Sequence, residues 1–412
     1  MSLAETLTSA AVGTLNRGGR VLQRAGITAP AMRPEALIAA AKRRARLEDF
    51  GGWPIEEPLE RLLNDYEREA DLSTLGRITV RELLVSLLEN LLYLEQEEQA
   101  SPNIERQRID APVFIIGLPR TGTTLLHGLM AQDAATRTPL TWEVMFPAGY
   151  SEAPEAIDRI RQRTDARLTW ANRLAPDFKR IHEIGADLPQ ECIAIMAQGF
   201  ASIQFHITHN VPSYQNWFEQ EWQELGYAFH YRFLQHLQAR RSGNHWVLKA
   251  PGHLFGLDAL LYRYPDARII QTHRDPLRAM ASIASLATVL RRAFSDSADA
   301  KQIAADWSGR WSNALDRSLE TRGHWPAEQF VDVAYADLVA APLATVERLY
   351  EFLGWPLSSE ARESMESFLS ENPRDKYGAH RYALADFGLD RALEMQRFAR
   401  YCERFKIPVD SQ

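Results

Sequence analysis

The rhythm of apolar residues changes at about residue 111 of this chain and separates two kinds of structure. Upstream it is helical: Leu83, Leu84, Leu87, Leu88, Leu91 and Leu92 fall on one helix face. Thr79-Val-Arg-Glu82 has the form of a capping box and predicts that this helix begins there. Residues 1–30 are small and weakly amphipathic, fitting a helical arm or a loose segment. Downstream, short apolar runs predict strands at 113–117, 245–249, 268–272 and 329–333. Helical stretches at 122–132, 254–263, 276–291, 298–320 and 342–353 alternate with them. That alternation predicts an α/β fold, a central parallel sheet between two helical layers. The expected organisation is a helical N-terminal region over 1–105 and an α/β domain over 106–412.

Between the first two strands, about 151–240 reads as a helical insertion rich in aromatics. Tyr214, Trp217, Phe218, Trp222, Tyr227, Phe229, Tyr231 and Phe233 belong to it. Such rings more often fill a core than cage a ligand. An insertion between strands is nonetheless where a substrate pocket would sit.

Composition narrows the function by exclusion. The 412 residues are 45% apolar and 25% charged, ordinary globular values. A net charge of −7 argues against a general nucleic-acid or anionic-membrane binder, so any anion recognition must be local. Cys192 and Cys402 make neither a metal-site spacing nor a disulfide framework. The N-terminus lacks a signal pattern, and no run reaches the roughly 18 apolar residues of a membrane span. A soluble, cytoplasmic protein is expected, with monomer and homodimer both open.

The candidate chemistry lies where the predicted strands end, which is where open parallel sheets bind ligands. Val113-Phe-Ile-Ile-Gly-Leu-Pro-Arg-Thr-Gly-Thr-Thr-Leu-Leu126 reads as a buried strand, a glycine-bracketed loop and a first helical turn. Gly117 and Gly122 are spaced as in a P-loop, but Thr123 and Thr124 stand where Lys-Ser/Thr would follow. The fixed charge within the loop is Arg120. Pro119, Arg120, Thr121, Gly122, Thr123 and Thr124 are thus a candidate seat for a phosphate-type anion, held by backbone N–H groups at a helix start. Lys249, one of six lysines in an arginine-rich chain, ends the second strand. His253 follows in the next turn, and its ordinary ionisation suits proton transfer near neutrality. Arg274 ends the third strand, and Ser282 lies about two turns along the next helix, a pairing suited to a second phosphate.

In order and spacing these segments resemble the sulfotransferases that use 3′-phosphoadenosine 5′-phosphosulfate (PAPS), over about 113–390. The resemblance implies a P-loop NTPase-like three-layer fold and no metal. The first loop would hold the 5′-phosphosulfate, and Arg274 with Ser282 the 3′-phosphate. Pro-Arg-Thr-Gly-Thr-Thr resembles the tyrosylprotein and many bacterial members, and Leu-Lys-Ala-Pro-Gly-His the bacterial ones. Val331-Asp-Val-Ala-Tyr335-Ala-Asp-Leu is similar to the family's Tyr-Glu-Asp-Leu segment, which implies that Tyr335 lies near the adenine. The cytosolic members close over the 3′-phosphate with an Arg-Lys-Gly segment. Here His380 and Arg381 would contact the nucleotide in its place, or the stretch caps the last helix.

Sulfuryl transfer, like phosphoryl transfer, is an in-line displacement that needs positioning and fixed positive charge. Arg120 and Lys249 would supply the charge. Two residues compete as the base that deprotonates the acceptor hydroxyl. His253 resembles the catalytic histidine of the cytosolic members, although it is four residues from the lysine instead of two. Glu143, in Thr138-Pro-Leu-Thr-Trp-Glu143, resembles the glutamate base of the tyrosylprotein members. Asp187-Leu-Pro-Gln-Glu191 either lines an acceptor pocket or caps a helix, capping being the simpler role. The acceptor would be a small-molecule or lipid hydroxyl. The rival readings are an atypical P-loop kinase or NTPase and a non-catalytic nucleotide-binding protein.

Overall fold

The computed structural model describes residues 3–25, 29–174, 185–241, 243–373 and 383–408. Strands β1 (Val113–Gly117), β2 (Thr136–Arg137), β3 (His245–Lys249), β4 (Arg268–His273) and β5 (Phe330–Ala334) form one sheet in the order β2-β3-β1-β4-β5. All pairings are parallel, with Val113 beside Val247 on one side and Arg268 on the other. β1 is therefore central. Its two neighbours, both reached later in the chain, flank it left and right, which opens a crevice at its carboxyl end. The two-residue β2 carries no apolar run of its own, so the sequence pattern passes over it.

Alternation along the strands builds three layers. Phe114 and Ile116 of β1, Trp246 and Leu248 of β3 and Ile269 of β4 enter one hydrophobic core. Val113, Ile115, Val247, Ile270 and Val333 enter the other. The second core is closed by Leu126, Leu129 and Met130 after the β1 loop and by Val346, Leu349 and Tyr350. The first takes the insertion and the N-terminal helices, including Leu37, Leu59, Leu84 and Leu88. The insertion's described residues form the helices Pro154–Leu174, Cys192–Gln198, Gln204–Thr208, Pro212–Glu221 and Gln223–Arg240. Of its aromatics, Tyr214, Trp217, Phe218, Trp222, Tyr227, Phe229 and Phe233 are buried, and Tyr231 packs partly buried against them.

The N-terminal helices are α1 (Leu3–Arg24), α2 (Pro34–Ala45), α3 (Glu56–Arg68) and α4 (Thr74–Ala100). α4 begins earlier than the expected capping box. Ser73 is its cap, its hydroxyl accepting from the Gly76 N–H at 3.1 Å. Thr79 is inside the helix and donates to the carbonyls of Leu75 and Gly76 at 3.0 and 2.9 Å. Gly76 weakens helical propensity, which hides the true start. Packing is what requires it: a Cβ there would stand 1.9 Å from the Phe294 carbonyl oxygen. This close crossing docks α4 on the helix Pro276–Phe294. The predicted helix at 254–263 is divided at Gly256 into a short 3₁₀ turn, Pro251–Phe255, and the helix Leu257–Arg263. No described helix is long and apolar enough to cross a membrane.

The histidines buried by this packing include His127, His206, His209 and His230. Burial favours their neutral form, and the nearby Arg291 charge adds to it at His206 and His209. It pulls their pKa from the ordinary 6.5 to about 3 for His127, His209 and His230, and to about 4 for His206. Between those values and 6.5 the unfolded chain binds protons that the folded protein does not, so stability falls as pH drops from 6.5 toward 4. Each histidine adds a slope of up to about 1.4 kcal/mol per pH unit in that window. Urea midpoints at pH 7 and pH 5 are expected to differ strongly, and midpoints that coincide would mean that these imidazoles charge without unfolding.

Candidate active site

The loop between β1 and α5 (Thr123–Met130) is shaped by backbone that few side chains tolerate. Gly117 and Gly122 have φ of 144° and 91°, and Arg120 adopts 71°. A Cβ on Gly117 would lie 2.5 Å from Thr272 Oγ1 and 2.6 Å from its carbonyl oxygen, so only glycine lets the loop leave β1 this close to β4. Thr121 secures the turn, donating to the Leu118 carbonyl at 2.6 Å and sharing a 2.6 Å hydrogen bond with Thr272. Gly122 is the N-cap of α5, and no side chain caps that helix start. Its first-turn N–H groups and its dipole therefore suit an anion.

Side chains from three further strand ends meet this loop. Lys249, at the end of β3, is only 2% exposed and donates to Thr124 Oγ1 at 3.3 Å. The same ammonium pairs with the Glu191 carboxylate. Arg274, just past β4, donates to the Arg120 carbonyl at 2.9 Å and lays its guanidinium 4.0 Å over the Tyr335 ring. Tyr335 follows β5 and borders Gly122, whose added Cβ would come within 3.3 Å of the ring. Pro119, Thr123, Thr124 and the exposed Arg120 complete the loop, and Ser282 is half-buried on the helix after Arg274. His380 and Arg381 lie outside the described residues.

The model of the sulfotransferase family matches residues 112–359, from β1 past the last strand. The chain belongs to the sulfotransferase family. Its likeness to solved sulfotransferases extends over the helical additions and the P-loop-like α/β sheet alike. Sulfotransferase STF1 from Mycobacterium tuberculosis H37Rv is 34% identical with a TM-score of 0.79, over 89% of this chain and 98% of that one. Sulfotransferase STF9 from Mycobacterium avium is 25% identical with a TM-score of 0.82, over 94% and 100%. Among curated relatives, the omega-hydroxy-beta-dihydromenaquinone-9 sulfotransferase Stf3 of Mycobacterium tuberculosis (strain CDC 1551 / Oshkosh) is 26% identical over 263 residues. That alignment takes in 60% of this chain and 63% of the relative, less than two thirds of its length.

In this member of the family neither residue expected as the base stands open. Glu143 is 3% exposed and receives both guanidinium nitrogens of buried Arg137 at 2.9 and 2.8 Å, plus the Leu140 N–H at 2.9 Å. Arg137 lies 4.9 Å over the Trp246 ring, so the pair ties β2, β3 and the helix Thr141–Met145 together. His253 is fully buried. Its Nδ1 lies 2.8 Å from the Tyr227 hydroxyl, with Phe114 edge-on at 5.1 Å. Its Nε2 has no hydrogen-bond partner among the described residues. Burial, reinforced by nearby His230, pushes its pKa well below the usual imidazole range, so it is a neutral core residue and a weak proton acceptor.

The residue undervalued by sequence reasoning is Glu191. It precedes the helix Cys192–Gln198 but makes no capping bond, and reaches Lys249 instead. The available signal was that a buried ammonium requires a counter-charge. Which acid supplies it, 58 positions away, is a tertiary fact.

Because Glu143 neutralises a buried guanidinium, Glu143→Ala is expected to lower the unfolding free energy by about 3–5 kcal/mol. Chemical denaturation checks this; full stability with abolished turnover would return Glu143 to a chemical role.

Proposed function

We propose that this sulfotransferase takes its sulfuryl group from PAPS and passes it to the hydroxyl of an apolar-bodied small molecule or lipid. The observation that carries the reading is the meeting of an uncapped helix start, Lys249 and Arg274 on one glycine-bracketed loop. Thr123 occupies the place of a Walker lysine, which disfavours an ATP-dependent kinase. The 5′-phosphosulfate would lie across the α5 amides, with Lys249 beside its bridging oxygen and exposed Arg120 forking onto sulfonate or phosphate oxygens. Arg274, with Ser282 on the following helix, would take the 3′-phosphate, and Tyr335 would face the adenine. Fixed cations set before the reaction stabilise charge that builds on the leaving oxygen in the transition state. Residues 106–412 would carry this chemistry, with 1–105 completing the core.

The acceptor class follows from two supports. The mycobacterial relative Stf3 is named for a hydroxylated menaquinone, a hydroxyl on an apolar body. In this chain the insertion sends Glu191 directly to Lys249, which would bring an acceptor held there to the donor end.

Adenosine 3′,5′-bisphosphate, the desulfonated donor, is expected to bind without Mg²⁺ and to survive chelation, whereas Mg-ATP should give no comparable thermal shift. At one hundred times its Kd it would stabilise the protein by about 2.7 kcal/mol. Stabilisation by Mg-ATP alone would sink the donor assignment. Arg274→Ala should weaken adenosine 3′,5′-bisphosphate binding by about 10-fold or more in calorimetric titration. Lys249→Ala should instead cut kcat by roughly 100-fold or more, because its charge acts on the leaving oxygen.

A further inference from the structure

We infer that Glu191 takes the proton from the acceptor hydroxyl, with Lys249 holding its carboxylate in place until the donor arrives. This rests on the PAPS reading above. Glu191, Lys249 and Thr124 come from the insertion, β3 and α5, and form a continuous chain of contacts running from the insertion to the anion loop. Within the ion pair the lysine side chain is 2% exposed and the glutamate side chain 15%, so the carboxylate is the outward member. Its position is set by backbone. The segment 186–190 runs beside 139–142, with the Gln190 N–H donating to the Pro139 carbonyl at 2.8 Å and the Thr141 N–H to the Leu188 carbonyl at 3.0 Å. The Arg137–Glu143 pair anchors that same stretch, which makes Glu143 a positioning residue for Glu191.

The charge balance gives the sequence of events. Lysine is a compact cation on a flexible stem. A phosphosulfate on the α5 amides offers it a denser set of negative oxygens than a single carboxylate. Turning toward the bridging oxygen, Lys249 leaves Glu191 beside the acceptor with less positive charge to stabilise its ionised form. The acceptor oxygen then forms a bond to sulfur while its proton passes to a Glu191 oxygen. The bond from sulfur to the bridging oxygen breaks, its electron pair staying on the phosphate of adenosine 3′,5′-bisphosphate, where Lys249 meets it. Glu191 afterwards releases the proton to solvent. The other titratable groups nearby do not compete. Burial holds His127 neutral with a pKa of about 3 and pushes the Cys192 thiol far above its usual range.

The test is Glu191→Gln, which keeps shape and removes the proton-accepting charge, assayed with PAPS and phenols graded from 4-methylphenol to 4-nitrophenol. Binding of adenosine 3′,5′-bisphosphate should stay within about 3-fold of wild type, since the change removes a negative charge beside an anion site. Transfer to 4-methylphenol should slow by about 100-fold or more, and to the far more acidic 4-nitrophenol by less than about 10-fold, since that acceptor needs little help from a base. Glu191→Asp should recover part of the loss with 4-methylphenol. Equal slowing across the series, or none, overturns the inference, as does a variant that loses adenosine 3′,5′-bisphosphate binding together with its fold. Wild-type protein that does not bind adenosine 3′,5′-bisphosphate overturns the donor assignment and this inference with it, a pattern distinct from failure in the variant alone.

Discussion

A lysine ammonium withdrawn from water at the end of a central strand is the constraint around which this site is arranged. Removing such a charge from solvent costs several kcal/mol unless a counter-charge and hydrogen bonds replace the water. Lys249 finds both, in Glu191 from the insertion and Thr124 from the first turn of α5. Satisfying one buried cation thus joins the two halves of the prospective reaction. The insertion is held against the loop, and the loop against β3, by the same nitrogen atom.

The sheet makes that junction possible. With β1 central and β3 and β4 on either side, the loop after β1 opens between two strand ends. The close approach of Gly117 to Thr272 then brings it against β4, where Arg274 waits. Alternate side chains fill two cores, one closed by α5 and the helix Pro342–Leu353 and one shared by the insertion, the N-terminal helices and the helix Pro276–Phe294. α4 belongs to this scheme because Gly76 lets it cross the Phe294 carbonyl closely. The buried Arg137–Glu143 pair and the His253–Tyr227 contact serve the same scaffold, the first by neutralising charge and the second by satisfying a ring nitrogen.

What sequence reasoning could reach followed from local rules. Short apolar runs at β1, β3, β4 and β5, alternating with helical stretches, mark a parallel sheet, and the spacing of Gly117 and Gly122 marks the loop. The two-residue β2, the true start of α4 and the break at Gly256 escaped, because pairing or packing sets each of them and propensity does not. At the site, local pattern placed Lys249, Arg274 and the loop threonines at strand ends, where the topology gathers them.

The sequence by itself determined the α/β alternation, the anion-shaped loop and the family to which the chain belongs, since each is written in neighbouring residues. The tertiary structure alone decided which acids and imidazoles are engaged. Glu143, His253 and Glu191 look alike as isolated polar residues in a string. Their roles diverge because burial and partner charge come from residues far along the chain: Arg137 with Trp246 for the first, Tyr227 with Phe114 for the second, and Lys249 for the third. Desolvation depends on everything packed around a group, and no local pattern records that.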